Sequence, residues 1–207
     1  MKVAENATSL NSNPELGFIV EGVSAGGNLS AVLSLLARDN NLSPPLTGAF
    51  LSAPSTFSRY SVPEKFKSHW LALEQNKAAP ILNLPMYEHI EGQSFPSPTQ
   101  SPHSRSILTI IPECYNPDPK SSLFAPILHP TGFKGLPRTY VVACGMDPIR
   151  DDGIIYEQVL REAGVETKIN VYPGLPHCWW SLLPQLEASK KYEHDSMEGL
   201  KWLLRKE

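Results

Sequence analysis

The stretch Gly17-Phe18-Ile19-Val20-Glu21-Gly22-Val23-Ser24-Ala25-Gly26-Gly27 decides the fold. Its apolar start reads as a short buried strand. Gly22 to Gly27 reads as a nucleophile elbow, the tight strand-to-helix turn that lifts a serine hydroxyl above a parallel sheet. Glycines two before and two after the serine are expected where strand and helix pack too closely for a side chain. The serine itself is expected in a strained backbone conformation that exposes its oxygen. With Gly and Ser at about 7% each, a Gly-x-Ser-x-Gly arises by chance roughly once in fifteen chains of this length. Context gives it weight: a strand before, a helix after, and suitable partners downstream in order.

The elements outward from the elbow follow a strand–helix rhythm. Leu29, Val32, Leu33, Leu35 and Leu36 give a helix apolar over more than one face, ending at Arg38-Asp39-Asn40-Asn41. Leu46 to Ser52 reads as a second strand stopped by Pro54, Thr139 to Ala143 as a third, and Thr167 to Tyr172 as a fourth. Asp151 to Ala163 is predicted helical, with acidic residues in its first turn and Gly164 as a stop. Leu186 to Arg205 is predicted to be a final amphipathic helix, and the first ten residues the tail of another. Alternating strands and helices argue for a mostly parallel α/β sheet flanked by helices. Residues of about 55 to 115 break the rhythm with short amphipathic pieces (Ser61 to Asn76, Met86 to Glu91) and proline-rich links such as Ser94 to Pro102. An insertion over an active site has this composition. No internal repeat is present.

Bulk composition excludes several classes. The 207 residues fit a single domain, 1–207, with 41% hydrophobic and 19% charged residues. A net charge of −3 without a basic run speaks against nucleic-acid binding. Three cysteines, Cys114, Cys144 and Cys178, are widely spaced, so neither a zinc ribbon nor a disulfide framework is indicated. No metal and no cofactor is expected. No stretch approaches transmembrane length and Met1 to Asn6 lacks an apolar signal core, so a cytoplasmic protein without a membrane span is expected.

A serine needs a base, and the base needs a carboxylate to fix its tautomer. In parallel sheets such groups gather at the carboxyl ends of strands. Asp147 follows the strand ending Val142-Ala143-Cys144-Gly145-Met146, and His177 lies in the loop after the strand that runs into Val171-Tyr172-Pro173-Gly174. The order Ser24, Asp147, His177 is that of an α/β hydrolase. Asp147 could instead only cap the next helix, and Asp151 and Asp152 read as residues of that helix's first turn. Among six histidines, His69, His89, His103, His129 and His194 are expected to be solvated, whereas His177 is flanked by Leu175 and Trp179-Trp180.

Three segments, Gly22-Val23-Ser24-Ala25-Gly26-Gly27-Asn28-Leu29, Cys144 to Gly153 and Val171 to His177, resemble the catalytic blocks of the hormone-sensitive-lipase-like α/β hydrolases, the alpha/beta hydrolase fold-3 esterases, especially fungal ones. The resemblance runs from about Val3 to the C-terminus. It implies Ser24 as nucleophile, Asp147 as triad acid and His177 as general base, acting on a small to medium apolar ester through an acyl-enzyme. It also implies that the insertion contributes to a lid. Trp179, Trp180 and Cys178, which stands where the family commonly has Gly, are expected to line the pocket. Val23, before the serine, is expected to point into the sheet side.

One departure has consequences. Family members carry a His-Gly-Gly-Gly segment upstream whose N–H groups form most of the oxyanion hole, and the 23 residues before Ser24 contain none. Only the Ala25 N–H carries over. Losing one such donor costs about 10²–10³ in turnover, so a slow esterase is expected. The alternative is a truncated, catalytically impaired relative that binds a ligand or partner. In either case the nucleophile strand becomes a sheet edge, open to a homodimer or a partner chain.

Overall fold

The computed structural model describes residues 2–91 and 118–205. Four strands, β1 (Ile19–Val23), β2 (Gly48–Ser52), β3 (Arg138–Met146) and β4 (Thr167–Pro176), form one sheet in the order β1-β2-β3-β4. All three pairings are parallel. The strands are those expected, with shifted ends: β1 runs on through Val23, β3 from Arg138 to Met146, and β4 to Pro176. Their burial follows from position. β2 is buried at every residue and β3 over most of its length, whereas β1 and β4, at the sheet's edges, mix buried and exposed positions.

The period of two sorts the inward side chains into two cores. On one face Val20, Ala49, Leu51 and Val141 meet Ala31 and Leu35 of α2 (Ala25–Asp39) and Ile155, Tyr156, Val159 and Leu160 of α5 (Arg150–Glu162). On the other face Phe50, Tyr140, Val142, Cys144 and Tyr172 meet Trp179 of α6 (Trp179–Leu182) and Trp202 and Leu203 of α7 (Glu187–Leu203). The result is helix, sheet, helix in three layers. A glycine sets the approach of α7, since a Cβ at Gly199 would stand 2.4 Å from the Tyr140 ring.

The insertion differs from its sequence reading. Ser61 to Asn76 is not one amphipathic piece: Pro63 precedes a single 3₁₀ turn, Glu64–Phe66, and only α3 (Ala72–Gln75) is α-helical. α4 (Leu84–Ile90) opens on an Asn83 side chain that accepts the Met86 N–H. The remainder of the expected lid, 92–117, lies outside the described residues, as do Cys114, His103 and the link Ser94 to Pro102. The N-terminus begins in a short α1 (Lys2–Glu5). Two histidines are not solvated as expected: His89 is buried on α4, and the His129 side chain lies in the Asp39–Thr131 corner with 6% exposure. Val23 is also 39% exposed, and among the described residues no strand pairs with β1 on its outer side.

Candidate active site

Ser24 stands between the last residue of β1 and the first of α2. Its backbone is in a sparsely populated left-handed region (φ 57°, ψ −118°). The conformation is pinned at both ends: the Ser24 N–H donates to Ser52 O at 2.8 Å, and Ser24 O accepts the Asn28 N–H at 3.0 Å. The steric account of the two flanking glycines holds at Gly22 and fails at Gly26, while Gly27, outside that account, is tight. A Cβ on Gly22 would lie 2.0 Å from Gly26 O, and one on Gly27 would lie 3.0 Å from Pro54. One on Gly26 would meet no described atom within 4 Å, so strand–helix packing does not require that glycine.

Two further strand ends bring their side chains to the serine. His177 Nε2 is 3.0 Å from Ser24 Oγ, and His177 Nδ1 is 2.6 Å from Asp147 Oδ2. Asp147 is wholly buried, and its second oxygen, Oδ1, accepts the Ile149 N–H at 3.0 Å. Asp147 does not cap the helix, whose N-cap is Ile149; one oxygen faces His177 and the other holds the turn that leads into α5. With the carboxylate on Nδ1, the imidazole proton sits there and the Nε2 lone pair faces the serine hydroxyl. Burial lowers the His177 pKa, but the hydrogen bond and charge of Asp147 outweigh it, and the group is raised to about 10. The site therefore stabilises an imidazolium, the species formed when a histidine takes a serine proton. Ala25 opens α2, so its N–H has no intrahelical acceptor and is free to meet a developing negative charge.

The expected pocket-lining residues divide. Cys178 adopts a left-handed conformation (φ 51°) and is half-buried beside the imidazole. Trp179 is fully buried in the core against Tyr172, so it does not line an open pocket. Trp180 is half-buried and stacks on Tyr192 at 3.9 Å, with the rings 11° from parallel. Cys144 is buried in the same core, and burial holds its thiol protonated.

The sequence reading missed how the acidic turn of α5 is used. Asp151 and Asp152 are first-turn residues as expected, yet both are buried and both hold the insertion. Asp152 Oδ2 accepts the N–H groups of Thr56 and Phe57 at 2.9 and 3.0 Å, and its Oδ1 accepts Trp70 Nε1–H at 2.7 Å. Asp151 Oδ2 accepts the Leu71 and Ala72 N–H groups, each at 2.7 Å. Burial pushes the Asp152 carboxyl up to about 8; the Trp70, Phe57 and Thr56 donors pull the other way, and Asp147 adds to the rise. Two adjacent acids before a glycine were the available signal, but charge at a helix start is ordinarily a solvated feature.

A family model described as the alpha/beta hydrolase fold matches residues 1–181. The chain belongs to the alpha/beta hydrolase fold-3 family. An AB hydrolase superfamily protein of Schizosaccharomyces pombe is 38% identical over 98% of this chain and 53% of its own length. Versiconal hemiacetal acetate esterase of Dothistroma septosporum is 33% identical, over 97% of this chain and 55% of its own. Among solved structures, vibralactone cyclase superposes with a TM-score of 0.82 at 34% identity, over 98% of this chain and 53% of that one. The chain spans about half the length of the relatives it matches. Among the described residues no helix is long and apolar enough to cross a membrane.

Proposed function

We propose that this α/β-hydrolase chain is a serine carboxylic-ester hydrolase with Ser24 as nucleophile, His177 as general base and Asp147 as the acid that orients it. The observation that carries the reading is the unbroken hydrogen-bond chain from Asp147 through both nitrogens of His177 to Ser24 Oγ. In the reaction, Oγ attacks the ester carbonyl while its proton passes to Nε2. The buried carboxylate stabilises the resulting imidazolium, and the Ala25 N–H faces the oxyanion. The imidazolium then protonates the leaving alcohol, and water activated by the same histidine releases the acid from acyl-Ser24. The substrate is a small to medium apolar ester, in keeping with the named esterase among the relatives. The segment of about 55–115 belongs to the single domain 1–207 and contributes a lid.

A second reading, a binding protein of reduced activity, is favoured by the open flank of β1. Among the described residues β1 has no partner on its outer side, and Leu29, Leu33 and Leu36 of the helix that follows it are exposed. That flank would be covered by polypeptide, in a homodimer or with a partner chain.

The deciding experiment treats purified protein with a fluorophosphonate and reads the intact mass, with Ser24→Ala as control. A single adduct that the variant loses is the expected result. No adduct on folded protein would overturn the esterase and leave the binding reading.

A further inference from the structure

The turn that follows β2 touches α2, β3 and α5. Ala53, Pro54, Thr56, Phe57 and Ser58 are buried, and Ala53 is in a left-handed conformation (φ 44°), with its N–H donated to Val142 O of β3 at 2.8 Å. Pro54 is wedged between two glycines, each in the first turn of a helix. A Cβ on Gly27 of α2 would stand 3.0 Å from it, and one on Gly153 of α5 would stand 3.4 Å from it. At Gly27 a side chain would force the turn or α2 to give by a few tenths of an ångström, whereas at Gly153 the contact is an ordinary close one.

Polar contacts reinforce the wedge on both sides. From α2, one turn beyond Ser24, Asn28 Nδ2 donates to Ser55 O at 2.7 Å, and also to Phe124 O at 2.7 Å. From α5, Asp152 takes the N–H groups of Thr56 and Phe57, while its own carbonyl accepts Thr56 Oγ1–H at 2.8 Å. Asp152 is in turn joined to the acid loop, because its N–H donates to Ile149 O and the Ile149 N–H donates to Asp147 Oδ1. A carboxyl group with no solvent contact whose two oxygens accept three N–H groups fixes direction as well as distance.

We propose that Asp152 is a positioning residue of the candidate triad: it locks the Ala53–Ser58 turn to the first turn of α5 beside Asp147, and through Asn28 on the same turn it locks the serine helix as well. This rests on the reading of Ser24, Asp147 and His177 as a triad. The serine and its acid arrive on strands separated by β2, so their relative placement needs a brace across the gap, and the turn after β2 is that brace. Asp152→Asn keeps the volume but presents an amide N–H₂ to at least one of the three donors, while Asn28→Ala releases the opposite end.

The test compares the wild type with Asp152→Asn, Asn28→Ala, the double variant and Gly199→Ala, which loosens the far core and leaves the turn alone. All are assayed at a temperature where circular dichroism shows each of them folded. Misplacement by about 1 Å slows a positioned reaction roughly 100-fold, so Asp152→Asn and Asn28→Ala should each slow fluorophosphonate labelling of Ser24 about 10- to 100-fold. The double variant should be little slower than the slower single one, because both cut the same brace. The His177 Nδ1 proton, followed by NMR, should shift in both variants and stay in place in Gly199→Ala. Labelling rates and a proton signal unchanged from wild type, whatever happens to stability, would overturn the proposal. Should the wild type itself fail to label, the esterase reading falls, and the His177 proton signal still decides whether the brace positions the histidine–aspartate pair.

Discussion

At the residue level, the proposed chemistry turns on one imidazole whose two nitrogens are both engaged. His177 is raised above the free-histidine value of about 6.5 because its charged form is held by Asp147. The sign follows directly: the stabilisation is fully present below the unfolded pKa and is lost as pH rises toward 10. The base must be neutral to accept the serine proton. Ser24 labelling should therefore rise with pH through a midpoint above 6.5, and a pH series of labelling rates measures it. Replacing Asp147 with Asn removes that support and should bring the midpoint down, with a large loss of rate at the plateau. The elbow glycines should separate in a mutational scan. Gly22→Ala, driven onto the Gly26 carbonyl, should destabilise by about 1–3 kcal/mol or more. Gly26→Ala, with no described neighbour, should cost no stability by packing, and urea midpoints of the two variants test the contrast. The grouping was legible in the sequence: Ser24, Asp147 and His177 stood at strand ends in the order the proposed chemistry needs, and the fold brings them within hydrogen-bond distance. The roles of Asn28, Asp151 and Asp152 were not, because each acts through partners about 27 to 96 residues away, set by the packing of separate elements.

At the element level, period and composition located all four strands and the three long helices, since buried parallel strands are short apolar runs and the helices on them are amphipathic. The insertion resisted the same reading. Four of its N–H groups, those of Thr56, Phe57, Leu71 and Ala72, are satisfied by side chains of α5, so no local period records how that part is held. The α7 layer offers a clean test of packing. Gly199→Ala places a methyl 2.4 Å from the Tyr140 ring and should lower stability by about 1–3 kcal/mol, read as a fall in urea midpoint at constant slope. Labelling of Ser24 by a fluorophosphonate should survive that change, because the contact lies on the sheet face opposite α2 and α5.

For the molecule as a whole, no strand among the described residues pairs with β1 on its outer side, and Val23 of β1 and Leu29, Leu33 and Leu36 of α2 are exposed. Burial of a leucine is worth about 1.5–3 kcal/mol, so this flank should drive association as concentration rises. Sedimentation velocity across a concentration series should show it, and Leu29→Lys with Leu33→Lys should reduce it. A wild type that stays a single monomeric species would count against the open flank as a docking face. The sequence by itself determined the layered α/β fold and the order of the chemical groups, because hydrophobic period and the glycine-framed serine are local properties of the chain. Only the tertiary structure decided that Trp179 belongs to the core, that Gly26 meets no neighbour among the described residues, and that the acids of α5 hold the N–H groups of Thr56, Phe57, Leu71 and Ala72. Those facts depend on which distant surfaces meet, and burial of an unpaired carboxylate is tolerated only where such a meeting supplies its donors.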